Sequence, residues 1–318
     1  MTNSLATTWI WMDGGLVPWE EGRVHLLTHT LHYGLGVFEG TRAYEQPGGG
    51  TAVFRLSDHM RRSQQSARIV RIDLPFDRDT MERATLELIA ANGLDSSYIR
   101  HLAFIGDGSM GVDPGDNPVR LAIATWKWGA YLGEDGLRNG VRLAVSTHAR
   151  LSSASSFGRA KATGNYITSV LAKREVVLRG YDDCVMLDSN GHVAESSGAN
   201  LFIVRDGVIK TPPPPGILPG ITRDTVMWLA EQRGWEVRQM AFARDEMYSA
   251  DEVFLTGTAA EVTPVREIDD RPIGEGVAGP VGLELQRAYL ELVGGEAATP
   301  EGWSSTVPAA AELVEAQA

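Results

Sequence analysis

Four of the 29 basic residues are lysines, at 127, 161, 173 and 210; the other 25 are arginines. A guanidinium stays protonated and cannot condense with a carbonyl. Any covalent amine chemistry therefore rests on one of four side chains. Lys161 stands in Gly158-Arg-Ala-Lys-Ala-Thr-Gly-Asn-Tyr166, where the small residues after it let a bound group approach the backbone. Lys173, in Lys-Arg-Glu, reads as solvated on a helix face. Lys210 ends a surface hairpin, and Lys127 lies between two tryptophans on which it can stack. Local context alone leaves Lys161 open between a functional amine and an ordinary loop lysine.

Other groups are as ambiguous singly. Glu195, in Ala-Glu-Ser-Ser-Gly-Ala-Asn-Leu-Phe, ends a strand and reads as a surface charge unless a ring nitrogen lies beside it. Three features could hold a phosphate. Gly220-Ile221-Thr222 opens a helix, whose N-terminus attracts anions. Gly257-Thr258 follows a strand and offers N–H groups and a hydroxyl. Arg62, three residues after His59 on one helix face, could add a charged contact. Tyr98 and Arg100 are two apart in a strand pattern and share a face. They could receive a carboxylate, or form the polar side of a half-exposed strand.

The elements that must position these groups are legible in outline. Residues 8–13 and 15–18 read as a hairpin turning at Asp13-Gly14. Helices are expected over 57–72, with Ser57 or Asp58 as N-cap, and over 79–92, closed by Gly93. Strands follow near 98–105, 119–126 and 141–146. A helix over 165–179 ends at Gly180; hairpins turn at Asn190-Gly191 and Asp206-Gly207. Pro212–Pro215 is loop, a helix opens near Gly220, and a last helix covers 280–293. The tail after 298 reads as poorly ordered. Mixed strands and helices in each half imply two α+β or α/β domains: 1–126, an interdomain loop 127–136 rich in glycine, and a larger domain 137–318.

With 318 residues and 43% hydrophobic content, two globular domains are expected. The single cysteine, Cys184, excludes a disulfide framework within the chain and fits a reducing, cytoplasmic compartment. It reads as a buried packing residue. Met-Thr-Asn-Ser-Leu-Ala is not a signal-peptide pattern, and no apolar run approaches the roughly 20 residues that span a bilayer. A net charge of −12 argues against nucleic acid or an anionic membrane as partner. No metal site is expected.

Taken together, the pieces resemble the branched-chain amino acid aminotransferases of fold type IV, from about residue 8 to 293. The stretches that carry the resemblance are His32-Tyr-Gly-Leu-Gly-Val-Phe-Glu-Gly-Thr-Arg-Ala-Tyr44, Tyr98-Ile-Arg100 and Trp128-Gly-Ala-Tyr-Leu-Gly133. Lys161-Ala-Thr-Gly-Asn-Tyr166, Leu218-Pro-Gly-Ile-Thr-Arg-Asp224 and Gly257-Thr-Ala-Ala-Glu-Val-Thr-Pro264 complete them. The chain departs from the family pattern at His101, where proline is frequent, at Ala199, where glutamate is usual, and over 151–158.

The resemblance implies a two-domain fold with pyridoxal 5'-phosphate between the domains. Lys161 would hold the cofactor as a Schiff base and move the proton at the substrate α-carbon. Glu195 would pair with the pyridine nitrogen, and Tyr166 with the ring hydroxyl. Arg62, Ile221, Thr222 and Thr258 would hold the phosphate. Tyr98 and the Thr258-Ala259 backbone would bind the α-carboxylate, and Arg100 the distal carboxylate of glutamate. Tyr33, Phe38 and Tyr131 would line an apolar pocket, one of them supplied by a partner subunit. The implied reaction exchanges an amino group between leucine, isoleucine or valine and 2-oxoglutarate, in a homodimer or larger assembly. The rival is a relative of the same fold: a D-amino acid or (R)-amine transaminase, or an aminodeoxychorismate lyase.

Overall fold

The computed structural model describes residues 5–152, 154 and 156–309. The N-terminal tetrapeptide, two serines of the 151–158 segment and the last nine residues lie outside that description. The chain forms two compact units: Met1–Trp128 with Ala160–Gly164 and Leu292–Ala318, and Gly129–Arg159 with Asn165–Glu291. The division expected from the sequence differs in three places. Lys127 and Trp128, the five residues around Lys161, and the chain after 291 all group with the first unit. Long-range pairing accounts for two of these: Val37 bridges Ala162, and Ser304–Thr306 pairs with Thr51–Phe54. The stretch 127–136 is not all loop, since a helix runs over Gly133–Asn139.

The first unit is built on a seven-stranded antiparallel sheet. Its order is Ser304–Thr306, Thr51–Phe54, Gly36–Glu45, Ser97–Ile105, Val119–Trp126, Trp9–Met12 and Gly15–Pro18. Side chains alternate along each strand. Val37, Glu39, Thr41 and Ala43 therefore share one face, and Phe38, Gly40 and Arg42 the other. The first face packs with Ile99, Ala103 and Ile123 against the helices Leu56–Ile69 and Arg78–Asn92 through Met60, Ala67, Met81, Leu88 and Ile89. Asp77 caps the second helix by accepting from the Thr80 N–H at 2.8 Å, and Gly93 ends it at φ 59°. The first helix is not capped by Ser57 or Asp58. It starts from Arg55 at φ 52°, and the Asp58 carboxylate instead accepts from Arg55 Nε at 2.6 Å. The cause lies in Trp303 and the strand Ser304–Thr306, which joins the sheet where the sequence suggests a poorly ordered tail after 298; residues 310–318 lie outside the described residues. The Arg55 N–H donates to Trp303 O at 2.6 Å, and its guanidinium lies 4.2 Å from the Trp303 ring centroid.

The second unit holds a nine-stranded mixed sheet. Its path runs Val237–Gln239, Val208–Thr211, Asn200–Arg205, Glu252–Gly257, Glu261–Ile268, Val141–Val145, Asp183–Leu187 and Val193–Ser196, with Arg271–Pro272 paired to Glu261–Ile268. Val193–Ser196 also meets Asn200–Arg205, through Glu195 opposite Asn200. The strand path therefore closes on itself at Glu195. Both expected hairpins form, with φ 82° at Gly191 and 76° at Gly207. Helices run over Tyr166–Val177, Ile221–Gln232 and Pro280–Val293. Leu143, Val185, Leu201, Ile203, Leu255 and Val265 fill the core. Cys184 is fully buried in its strand, and burial pushes its thiol pKa up. No helix among the described residues is long and apolar enough to cross a membrane.

Candidate active site

Lys161 is fixed from both sides of its backbone. Its N–H donates to Ser66 Oγ at 3.0 Å, and its carbonyl accepts from the Phe38 N–H at 3.0 Å. The helix Leu56–Ile69 and the strand Gly36–Glu45 thus set where the amine starts, and Nζ lies 4.8 Å from the Phe38 ring centroid. Phe38 in turn lies under Arg100, whose guanidinium carbon is 4.9 Å from its centroid and 5.5 Å from that of Tyr98. Arg100 Nε is buried and has no hydrogen-bond partner. A buried donor left unmatched costs about 1–3 kcal/mol, so this is a place prepared for an acceptor. Tyr98 is held at 5.2 Å from the Trp126 ring and 4.8 Å from Trp128. Gly40 makes room for it, since a Cβ there would stand 1.8 Å from Tyr98 Oη.

On the opposite face of the same strands, Arg62 meets Glu39. Nε donates to Oε1 at 2.7 Å and Nη2 to Oε2 at 2.8 Å, while His59 Nδ1 lies 2.9 Å from Oε2. Burial alone would raise the Glu39 pKa, but the Arg62 charge and the bonds from Arg62 and His59 hold it far below the usual carboxylate range. Burial lowers His59, against the pull of Glu39. His101, opposite Glu39 in register and 2.7 Å from Thr85 Oγ1, is pushed by burial down to about 3. Both imidazoles are therefore neutral at pH 7. The spacing of His59 and Arg62 signalled a shared helix face; that Glu39 is what they share was not readable. Tyr33 makes its contacts elsewhere, being 44% exposed with its hydroxyl donating to Met110 O at 2.8 Å.

In the second unit Glu195 is buried where the sheet closes. Its Oε2 accepts from Asn200 Nδ2 and from the Leu218 N–H, each at 3.1 Å, and Arg150 Nε stands 2.5 Å from Oε1. Arg150 and Asn200 were not singled out by the sequence; Arg150 is far from its partner along the chain, beyond any local pattern. A Cβ at Gly220 would stand 1.9 Å from Asn200 Oδ1, so glycine lets the helix Ile221–Gln232 begin against this cluster. No side chain caps that helix, and Ile221 and Thr222 are buried in its first turn. Thr258 and Ala259 are half-buried in the turn after Glu252–Gly257, just past the Thr256–Asn200 pair. The Thr256 and Ser196 hydroxyls are buried without partners. Tyr166 opens its helix half-buried.

Two lysines differ from expectation. Lys127 is exposed and is not stacked, because Trp126 and Trp128 pack on Tyr98 and on each other. Lys173 is not simply solvated: Nζ donates to Tyr131 Oη at 3.0 Å and lies 3.3 Å from Asp183 Oδ2.

A family model described as amino-transferase class IV matches residues 36–268. The chain belongs to the class IV aminotransferases. This class IV aminotransferase is 47% identical over 298 residues to the branched-chain-amino-acid aminotransferase of Pseudomonas aeruginosa, covering 94% of this chain and 97% of that protein. Among solved structures, it is similar to a T.th. branched-chain amino acid aminotransferase with pyridoxamine 5'-phosphate: TM-score 0.92, 49% identity, 96% of this chain and 100% of that one. The same T.th. enzyme complexed with N-(5'-phosphopyridoxyl)-L-glutamate aligns at TM-score 0.91 and 48% identity, with 96% and 100% coverage. Mixed α/β architecture and use of pyridoxal 5'-phosphate follow for the aminotransferase. Taken by itself, each unit carries groups of the kind that cofactor needs: a lysine and an arginine in the first, and a buried carboxylate and an uncapped helix start in the second.

Proposed function

We propose that this aminotransferase exchanges an amino group between leucine, isoleucine or valine and 2-oxoglutarate, yielding branched-chain 2-oxo acids and L-glutamate. When bound, pyridoxal 5'-phosphate supplies the carbonyl that accepts the amino group and a ring that takes up the electron pair of the substrate α-carbon. Lys161 holds the cofactor and moves the proton at that carbon. Glu195 keeps the ring nitrogen protonated, with Arg150, Asn200 and Leu218 N–H fixing the carboxylate. Tyr166 pairs with the ring hydroxyl. Arg62, Ile221, Thr222 and Thr258 hold the phosphate.

The pocket must accept both an aliphatic side chain and one ending in a carboxylate. Tyr98 and the Thr258-Ala259 backbone bind the α-carboxylate common to both substrates. Phe38 and Tyr131 give the apolar wall, with Tyr33 supplied by a partner subunit, and Arg100 receives the distal carboxylate. The observation that carries this reading is Arg100 itself, a guanidinium laid on the Phe38 and Tyr98 rings with a buried, unmatched Nε. The rings suit an apolar chain, and the cation with its idle donor suits an anion. A homodimer or larger assembly, working in the cytoplasm, completes the proposal.

A donor panel tests it, with 2-oxoglutarate as acceptor. Leucine, isoleucine and valine should be preferred over D-alanine and (R)-1-phenylethylamine. Turnover only with the last two would transfer the protein to the D-amino acid or (R)-amine class.

A further inference from the structure

Lys173 shares its amine between a buried carboxylate and an aromatic hydroxyl. It projects from the helix Tyr166–Val177. Nζ lies 3.3 Å from Asp183 Oδ2, 3.0 Å from Tyr131 Oη and 4.4 Å from the Tyr131 ring centroid. Asp183 is 1% exposed, and its other oxygen accepts from the Cys184 N–H at 2.8 Å. The carboxylate is therefore fixed by its strand and cannot follow the lysine. Tyr131 is the opposite case. It lies in the stretch 127–132, outside strand and helix, and is half-buried against the core of its unit. The ammonium ties that residue to two regular elements.

We propose that Lys173, anchored by Asp183, is a positioning residue for Tyr131, and that it sets the shape of the apolar side-chain pocket. This rests on the reading above that Tyr131 lines that pocket. Two further points support the tether. Burial would lower the Lys173 pKa, but the Asp183 charge and Tyr131 raise it on balance, so the amine is a cation when it makes these contacts. A charge-assisted bond to a hydroxyl is also among the stronger single restraints available to a loop. The consequence is selective. Losing the tether loosens the wall that holds an aliphatic side chain. Glutamate relies on Arg100, which makes none of these contacts, and should feel the change less.

Lys173→Met keeps the stem and removes the cation; Lys173→Met with Asp183→Asn also leaves no unpaired buried charge, and guards against loss of folding. Hydrogen exchange of the holoenzyme should show residues 129–132 exchanging roughly tenfold faster in both variants. KM for leucine should rise roughly five- to tenfold with kcat little changed, while KM for glutamate stays within about twofold. In a Tyr131→Ala background, Lys173→Met should add nothing further to KM for leucine. Unchanged exchange at 129–132 overturns the tether. Faster exchange with leucine and glutamate affected alike overturns the role in specificity. If the parent enzyme does not use leucine at all, it is the proposed function that falls, and the exchange result still decides whether Lys173 holds Tyr131.

Discussion

Arg100→Leu separates the two substrates that share one pocket. In the parent structure the guanidinium rests on Phe38 and Tyr98 and keeps one buried donor unmatched. For glutamate and 2-oxoglutarate the substitution removes charge-assisted hydrogen bonds of about 1.5–3 kcal/mol each. It also strands a carboxylate against apolar rings, which costs several kcal/mol more unless the substrate shifts. Taking two such bonds and partial relief by water gives about 3–4 kcal/mol, or roughly 10²- to 10³-fold in kcat/KM. For leucine two small effects oppose. Stacking of the cation on the rings, about 0.5–2 kcal/mol, is lost. The penalty of the unmatched Nε, about 1–3 kcal/mol, is also lost, and a leucine side chain refills most of the volume. The net change for leucine should stay within about threefold. Single-turnover half-reactions, followed by the cofactor spectrum, measure each substrate alone. Equal losses for leucine and glutamate would instead assign Arg100 to the α-carboxylate or to the fold.

Three further outcomes follow from the same geometry. Glu195→Gln should lower turnover far more than cofactor retention, because an amide cannot keep a ring nitrogen protonated while the phosphate contacts remain; normal kcat in that variant would remove Glu195 from the mechanism. Gly40→Ala should raise KM for every substrate at least about tenfold, since its Cβ would stand 1.8 Å from Tyr98 Oη; wild-type kinetics would show that Tyr98 does not bind the shared carboxylate. The folded protein binds a proton at His101 only near about 3, against 6.5 in the unfolded chain. This contribution to stability is therefore complete above about pH 6.5 and is lost as pH falls toward 3, with a slope up to about 1.4 kcal/mol per pH unit. Urea unfolding between about pH 6.5 and 4.5 should show a shallower slope for His101→Gln, and an unchanged slope would contradict the assignment.

What could be read from the sequence was what is local or what recurs as a motif. The strand Val119–Trp126, the helix closed by Gly93, and the turns at Asn190-Gly191 and Asp206-Gly207 are encoded by neighbouring residues. Lys161, Glu195 and Arg100 stood out as candidates because of their place in motifs along the chain. What was hidden depends on distant partners. Gly36–Glu45 forms a ten-residue strand although its helix-covered positions mix Val37, Glu39, Thr41 and Ala43, a pattern with no clean alternation of apolar and polar residues. Arg55 adopts a left-handed conformation because Trp303, from the far end of the chain, stacks on it and receives its N–H. Arg150 beside Glu195, and Asp183 beside Lys173, are pairings that only the folded sheet creates.

Lys161 is the one lysine of four proposed to carry the chemistry. Reducing the holoenzyme with borohydride fixes the cofactor to whichever amine holds it, and peptide mapping then reads the position. The label should appear on Lys161 alone, and Lys161→Ala should show no label, no visible cofactor absorbance and almost no turnover. A label on Lys127, Lys173 or Lys210 in the parent enzyme, or an absorbance band that survives Lys161→Ala, would remove Lys161 from that role.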